Sequence, residues 1–123
     1  MNNARVVLMI EDDVDIRELL ATRVRRLGVE VVTATTGATG IQTAREIKPD
    51  LLVVDIGLPD MDGWAVIEQL ADDDRTRDIP VVVASIVDPV EGVSQRVEAH
   101  LVKPIKKGAL EDAVMEAIQK GDS

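Results

Sequence analysis

The sequence predicts an α/β domain in which a parallel sheet is covered by helices on both faces. Short apolar runs rich in β-branched residues alternate with longer segments whose apolar residues recur at helical spacing. Three of the short runs are almost continuously apolar, as expected of parallel strands that are buried on both faces. Because strands that alternate with helices are joined by right-handed crossovers, this order favours a doubly wound sheet.

Five short runs are predicted to be strands. They cover residues 6–10, 29–34, 51–54, 80–84 and the short pair 101–102. Each run is too short for a typical globular helix and is bounded by turn-forming or charged residues. The sequence therefore predicts a five-stranded sheet.

The segments between the strands are predicted to be helices. Asp13 or Asp15 can cap the first helix, and Gly28 is placed to end it. The second helix is expected to stop before Pro49, and the third to begin near Gly63. The predicted apolar faces comprise Ile16, Leu19, Leu20, Val24 and Leu27 in the first helix, Ile41, Ala44 and Ile47 in the second, Ile67 and Leu70 in the third, and Leu110, Ala113, Val114, Ala117 and Ile118 in the last.

The fourth predicted helix, between the fourth and fifth strands, has the weakest pattern. Val90, Val93 and Val97 form its only apolar spacing, and Pro89 and Gly92 both weaken a helix at this place. We therefore expect a shortened fourth helix.

Composition favours one domain, residues 1–123, in a reducing compartment such as the cytoplasm. Hydrophobic residues make up 46% of the chain, charged residues make up 30%, and cysteine is absent. A chain of this length can bury a real hydrophobic core without disulfides. The longest apolar runs fall far short of the roughly 20 residues that span a bilayer, so no membrane association is expected.

The net charge argues against direct binding of nucleic acid. Asp and Glu number 23 against 14 Lys and Arg, which leaves a net charge of −9. Phosphate backbones are bound by clustered basic residues, and the bases of single strands stack on aromatic side chains. This chain has no Phe or Tyr, and Trp64 is its single tryptophan. A cation or a cationic partner surface is the better match.

Polar residues follow four of the predicted strands at the point where each strand ends. Glu11 and Asp12 follow the first, Asp55 the third, Ser85 the fourth and Lys103 the last. Each alone has an ordinary explanation, since acids favour helix N-termini, Asp and Ser form turns, and Lys covers surfaces. The carboxyl ends of parallel strands share one edge of a sheet, where ligands bind. The joint placement therefore predicts a site.

These residues carry a resemblance to a known family. The motifs are Ile10-Glu11-Asp12-Asp13, Asp55 with Gly57-Leu58-Pro59, Asp62-Gly63, Ala84-Ser85 and Lys103-Pro104. In this order the chain resembles, over essentially its whole length, a receiver domain of two-component response regulators. The resemblance implies a flavodoxin-like fold with strand order 2-1-3-4-5. It also implies a signalling switch in which Asp55 accepts a phosphoryl group from a phosphohistidine.

The resemblance assigns a role to each residue of the predicted site. Glu11, Asp12, Asp55 and the backbone carbonyl of Gly57 would bind Mg²⁺. Lys103 would pair first with Asp55 and then with the phosphoryl group. Such a cation and fixed positive charge are needed because an aspartate that attacks a phosphoryl group brings negative charge toward negative charge.

Ser85 and His100 are the predicted switch residues. In the family the residue at the position of Ser85 hydrogen-bonds the phosphoryl group and moves inward. His100 stands three residues before Lys103, where many receivers have Tyr or Phe, and a purely structural histidine is the alternative. The region from Ser85 to Lys103 is also shorter than in most family members.

The implied partners are a histidine kinase or a histidine phosphotransfer protein, with the downstream target unidentified. A homodimer that forms on phosphorylation is left open. The domain would catalyse only its own phosphorylation and a slow loss of phosphate, so it is not expected to be an enzyme. The alternative is a divergent receiver fold that binds a partner without phosphorylation.

Two other acidic-site families fit the sequence poorly. Asp60-Met61-Asp62-Gly63 resembles part of an EF-hand loop, but that frame puts Leu58 and Gln69 at its first and last ligand positions. Phosphatases of the haloacid dehalogenase type carry the motif Asp-x-Asp at the end of a strand. In this chain Asp55 would be the first Asp of that motif, but Gly57 stands where the second should be.

Overall fold

A computed structural model describes residues 4–86 and 97–121. The strands are β1 (Val6–Ile10), β2 (Glu30–Ala34), β3 (Leu51–Val54), β4 (Val81–Ser85) and β5 (Val97–Val102). The helices are α1 (Val14–Arg25), α2 (Gly37–Ile47), α3 (Gly63–Ala71) and α4 (Ala109–Gly121). Among the described residues, none of the helices combines the length and the apolarity needed to cross a bilayer.

The five strands form one parallel sheet in the order β2-β1-β3-β4-β5. The predicted fold class and strand order are confirmed. β1 and β3 lie at the centre, so the loops that follow them start side by side at one edge of the sheet.

Alternate residues of β1 face opposite layers of the core. Val7 and Met9 pack with α1 and α4, whereas Leu8 and Ile10 pack with α2 and α3. Both faces of the central strands are therefore buried, which accounts for their almost continuous apolar sequence. Leu19, predicted to lie on the apolar face of α1, is instead 60% exposed.

Local side chains cap the helices whose loops surround the predicted site. Asp13, not Asp15, caps α1, and its carboxylate accepts hydrogen bonds from the amides of Asp15 and Ile16. Thr36 caps α2 and Asp62 caps α3. Short polar residues thus cap the N-termini of all three helices.

The end of the sheet corrects one prediction. β5 begins at Val97, which was predicted to lie in the fourth helix, so the strand is longer than the predicted pair 101–102. Because β5 is an edge strand and only partly buried, its sequence lacks the continuous apolar run that marks the central strands. The rest of the predicted fourth helix, with Pro89, Val90 and Val93, lies outside the described residues.

Candidate functional site

The sheet places Glu11 and Asp55 beside each other at the carboxyl ends of β1 and β3. The amide of Glu11 donates a hydrogen bond to the carbonyl of Ala34 at 3.0 Å, and the amide of Asp55 donates to that of Ile10 at 3.0 Å. The strand ladder therefore continues one residue past each strand. The hydrogen bonds of the sheet therefore fix the backbone positions of Glu11 and Asp55.

Three carboxylates form a cluster at this edge. Glu11 and Asp55 are 2% and 9% exposed, and Asp12 is exposed. One carboxylate oxygen from each of the three residues lies within 4.8 Å of the others. Hard oxygen ligands at this spacing, with one side open to solvent, suit a divalent cation such as Mg²⁺ that keeps several waters.

Lys103 supplies the positive charge of the cluster. Its Nζ is hydrogen-bonded to Glu11 Oε1 and lies 3.4 Å from Asp55 Oδ2. The Lys103 side chain is only 10% exposed. The ammonium group therefore bridges two carboxylates, with Glu11 as its closer partner.

Burial strongly affects the acidity of Glu11. Burial raises the pKa of its carboxyl above the usual range, and the nearby Asp55 carboxylate acts in the same direction. The hydrogen bond from Lys103 acts in the opposite direction and is the weaker influence. A cation bound beside Glu11 would favour its ionised form.

The loop after Asp55 is closed by backbone contacts. Gly57 donates its amide hydrogen to Asp55 Oδ1 at 3.1 Å, and it forms an isolated bridge with Asp62. Gly63 donates to the carbonyl of Ile56 at 2.8 Å, and a Cβ atom at Gly63 would lie 2.5 Å from the Asp55 carbonyl oxygen. This close approach explains why glycine begins α3.

Asp60 is a member of this loop whose role the sequence did not reveal. Its carboxylate accepts hydrogen bonds from the amides of Gly37 at 2.7 Å and Ala38 at 2.9 Å. These hydrogen bonds lower the pKa of the Asp60 carboxyl. Its partners lie 23 and 22 residues away in the sequence, and no local pattern signals such a contact.

Ser85 and Lys103 come together through the pairing of β4 with β5. Ser85 is the last residue of β4, is 1% exposed, and accepts a hydrogen bond from the Lys103 amide at its carbonyl, at 2.8 Å. The hydroxyl-bearing residue therefore lies on the strand next to β3 and Asp55.

His100 lies in β5 and packs against the tryptophan of α3. The ring centroids of Trp64 and His100 are 5.9 Å apart, and the two planes are tilted by 48°. Both residues are partly buried. The sequence did not predict this ring contact, which joins the edge strand to the helix that follows the Asp55 loop.

An apolar groove adjoins Lys103 on the side of α1. This groove, termed the α1 groove, has a volume of about 350 Å³. Leu19 and Ile86 are its most exposed apolar members, at 60% and 78%. The lining residues are Ile16, Leu19, Leu20, Arg23, Ile86, Lys103, Pro104 and Ile105.

Comparison with known proteins identifies related chains over almost the whole length. Residues 7–118 match the response regulator receiver domain family. The transcriptional regulatory protein AfsQ1 of Streptomyces coelicolor is 32% identical over 120 residues, which are 94% of this chain and 52% of that protein. The chain thus spans about half the length of the curated relatives it matches.

Solved structures share the fold. A sensor protein from Polaromonas is 31% identical, with a TM-score of 0.87, over 95% of this chain and 98% of that one. The receiver domain of a Pseudomonas aeruginosa sensor histidine kinase is 20% identical, with a TM-score of 0.84, over 94% of this chain and 98% of that one. That receiver domain has a magnesium ion coordinated in its active-site cleft.

Proposed function

The chain belongs to the response regulator receiver domains, and we propose that it is a signalling switch in which Asp55 accepts a phosphoryl group from a phosphohistidine. The donor would be a histidine kinase or a histidine phosphotransfer protein. One observation carries the proposal: Asp55 lies almost buried in a carboxylate cluster, 3.4 Å from the ammonium group of Lys103. A turn-forming or surface aspartate would not need these neighbours.

The proposed reaction is a transfer between nitrogen and oxygen. A carboxylate oxygen of Asp55 forms a bond to phosphorus while the bond from phosphorus to the donor imidazole breaks, and the electron pair returns to that ring nitrogen. Lys103 would move its hydrogen bonds from the carboxylates to the transferred phosphoryl oxygens. Ser85 would donate its hydroxyl hydrogen to the same group.

The carboxylate cluster fits the Mg²⁺ ion that such a transfer needs. Glu11, Asp12, Asp55 and the backbone carbonyl of Gly57 would hold it, since the three carboxylates already converge within 4.8 Å. When bound, the ion would offset the negative charge of the incoming phosphoryl oxygens. Lys103 alone cannot do so, because it already faces two carboxylates.

The α1 groove is the proposed docking surface for the donor. Lys103 and Pro104 belong to its lining, so a protein seated there would lie beside Asp55. Its apolar walls suit the apolar face of a helix, as in other complexes where a helix lies in a groove. Leu19 and Ile86, both largely exposed, would be buried in that complex.

The output is proposed to pass through β5. His100 would change its packing against Trp64 when Ser85 moves toward the phosphoryl group. A downstream protein or a second phosphorylated copy would bind according to this change.

Direct nucleic-acid contact by these 123 residues is disfavoured by their net charge of −9. A cytoplasmic location agrees with the absence of cysteine.

The test combines Mg²⁺ with a small phosphodonor or beryllofluoride, followed by Trp64 fluorescence and intact mass. The full chain should gain one phosphoryl group, lose it slowly, and change its fluorescence because Trp64 contacts His100. Asp55→Ala should abolish both signals. Asp74→Ala, at a side chain 88% exposed and remote from the cluster, serves as the control and should behave like the unsubstituted protein.

Two outcomes would contradict the proposed function. One is the absence of any mass change with Mg²⁺ and donor present, and the other is a modification that persists in Asp55→Ala. Either result would favour the alternative, a receiver fold that binds its partner without phosphorylation.

A further inference from the structure

Asp60 ties the loop that carries Gly57 to the first turn of α2. Its Oδ1 accepts a hydrogen bond from the Gly37 amide at 2.7 Å, and its Oδ2 accepts one from the Ala38 amide at 2.9 Å. A helix leaves its first amides without internal partners, and its dipole favours a negative charge there. One carboxylate therefore serves two of these amides and holds the tip of the loop.

The same short segment also contacts the first acidic loop. The carbonyl of Ala34, at the end of β2, accepts the hydrogen bond from the Glu11 amide at 3.0 Å. Met61 packs so closely on Gly37 that a Cβ atom there would lie 2.4 Å from the Met61 Cγ. Ala34, Gly37 and Ala38 thus contact both loops that supply the carboxylate cluster.

The contacts of Asp60 restrict how the Asp55 loop can move. Its base is closed by the bridge between Gly57 and Asp62 and by the hydrogen bond from Gly63 to Ile56. Because this bridge makes residues 57–62 one closed unit, the contact of Asp60 with α2 restricts the tilt of that unit as a whole. Gly57, whose amide donates a hydrogen bond to Asp55 Oδ1 at 3.1 Å, would move with the unit if the contact were lost.

We propose that Asp60 is a positioning residue for the Asp55 site: by anchoring the loop to α2, it holds Gly57 and thereby Asp55 in the geometry that binds Mg²⁺ and accepts the phosphoryl group. This inference rests on the proposed function. Asp60 itself touches neither Asp55 nor the predicted ligands in the described contacts, so its effect passes through Gly57.

A purely structural role for Asp60 makes a different prediction. α2 already has its own cap, because Thr36 Oγ1 accepts a hydrogen bond from the Thr39 amide at 3.1 Å within a reciprocal capping box. Thr36→Ala weakens the start of α2 without touching the Asp55 loop. It is therefore the matched control, since both substitutions remove hydrogen bonds from the same helix terminus.

The experiment titrates variants of the 123-residue chain with Mg²⁺ and follows Trp64 fluorescence. In Asp60→Ala the half-saturating Mg²⁺ concentration should rise about tenfold, the lower end of the effect of losing an outer partner of a metal ligand. Phosphorylation by a small donor should slow as well. In Thr36→Ala the half-saturating Mg²⁺ concentration should stay within about twofold of that of the unsubstituted protein. Thr36→Ala and Asp60→Ala should both have a lower melting temperature.

Asp60→Asn provides a second readout that does not depend on full loss of the anchor. The amide keeps one acceptor oxygen but loses the charge. We therefore expect the half-saturating Mg²⁺ concentration to rise about threefold. If Asp60→Ala does not fold, this variant carries the comparison.

The inference is overturned if the Asp60 variants bind Mg²⁺ like the unsubstituted protein, or if Thr36→Ala loses as much affinity as Asp60→Ala. In both cases the proposed function stands, provided that Asp55 is still modified. An unsubstituted protein that binds no Mg²⁺ and is not modified at Asp55 would overturn the proposed function and this inference together.

Discussion

At the scale of single residues, the central feature is the imbalance of charge around Lys103. Three carboxylates converge within 4.8 Å, and the described cluster contains one ammonium group. Lys103 neutralises part of this charge, yet it also repels any cation that enters. The same side chain would therefore oppose Mg²⁺ binding and assist phosphoryl transfer.

Lys103→Met separates these two effects. Removing the ammonium group should lower the half-saturating Mg²⁺ concentration about 30-fold, for about 2 kcal/mol of repulsion between a single and a double charge roughly 4 Å apart in water. Phosphorylation should slow by about 100-fold, because the transferred oxygens lose a charged donor. Mg²⁺ titration and donor-dependent mass change measure the two quantities.

Lys107→Met is the control for this prediction. Lys107 is exposed in the loop that leads from Lys103 to α4, so its loss should alter neither quantity. Weaker Mg²⁺ binding in Lys103→Met would contradict the electrostatic account, because a disordered site loses affinity whereas a more negative one gains it.

At the scale of elements, the loop between β3 and α3 is shaped by two glycines with different surroundings. A Cβ atom at Gly63 would lie 2.5 Å from the Asp55 carbonyl oxygen and 2.6 Å from the Ile56 Cα. A Cβ atom at Gly57 would meet nothing closer than Asp55 Oδ1 at 4.0 Å. The start of α3 therefore needs glycine at position 63 and tolerates a side chain at position 57.

Gly63→Ala should cost about 2 kcal/mol or more of unfolding free energy, since backbone atoms cannot move aside as a side chain can. The forced shift of Asp55 and Ile56 should also weaken Mg²⁺ binding. Gly57→Ala, measured by the same urea titration, should change the unfolding free energy by less than about 1 kcal/mol. Equal losses in the two variants would show that close approach to Asp55 is not what position 63 requires.

At the scale of the whole molecule, one ion pair joins the first helix to the last. Arg23 of α1 donates from Nε to Glu111 Oε2 at 2.9 Å and from Nη2 to Glu111 Oε1 at 2.8 Å. The two side chains are 17% and 26% exposed. Their two parallel hydrogen bonds hold α4 against α1 on one face of the sheet.

This pair predicts a pH-dependent part of the stability. The hydrogen bond from Arg23 lowers the pKa of Glu111 from 4.5 to about 2. Above pH 4.5 the carboxylate is ionised in the folded and the unfolded chain, so the stabilisation is complete. As the pH falls from 4.5 toward 2, the unfolded chain takes up the proton first and the stabilisation is lost.

Glu111→Gln should therefore unfold more easily at pH 6 by about 1 kcal/mol, allowing for solvent screening of a partly exposed pair. The difference from the unsubstituted protein should shrink toward zero near pH 2. Urea unfolding at several pH values measures it, and Glu116→Gln, at an exposed position of α4, is the control. A difference that does not change with pH would contradict the assignment to this ion pair.

The sequence alone determined the layered fold and the residues at its edge. The central strands are buried on both faces, so their continuous apolar runs are local signals that can be read without a partner. Glu11, Asp55 and Ser85 end such runs or directly follow them, and the topology then brings them to one edge. The strand order and the family, which the resemblance to receiver domains implied, are also confirmed.

The tertiary structure decided which of these side chains touch. β5 extends back to Val97 because an edge strand needs only partial burial and leaves a weak pattern. Lys103 is closer to Glu11 than to Asp55, and Asp60 binds α2 across 23 residues. Partners this far apart are chosen by packing and charge in the folded chain, since no periodicity of a single strand or helix encodes a contact between two of them.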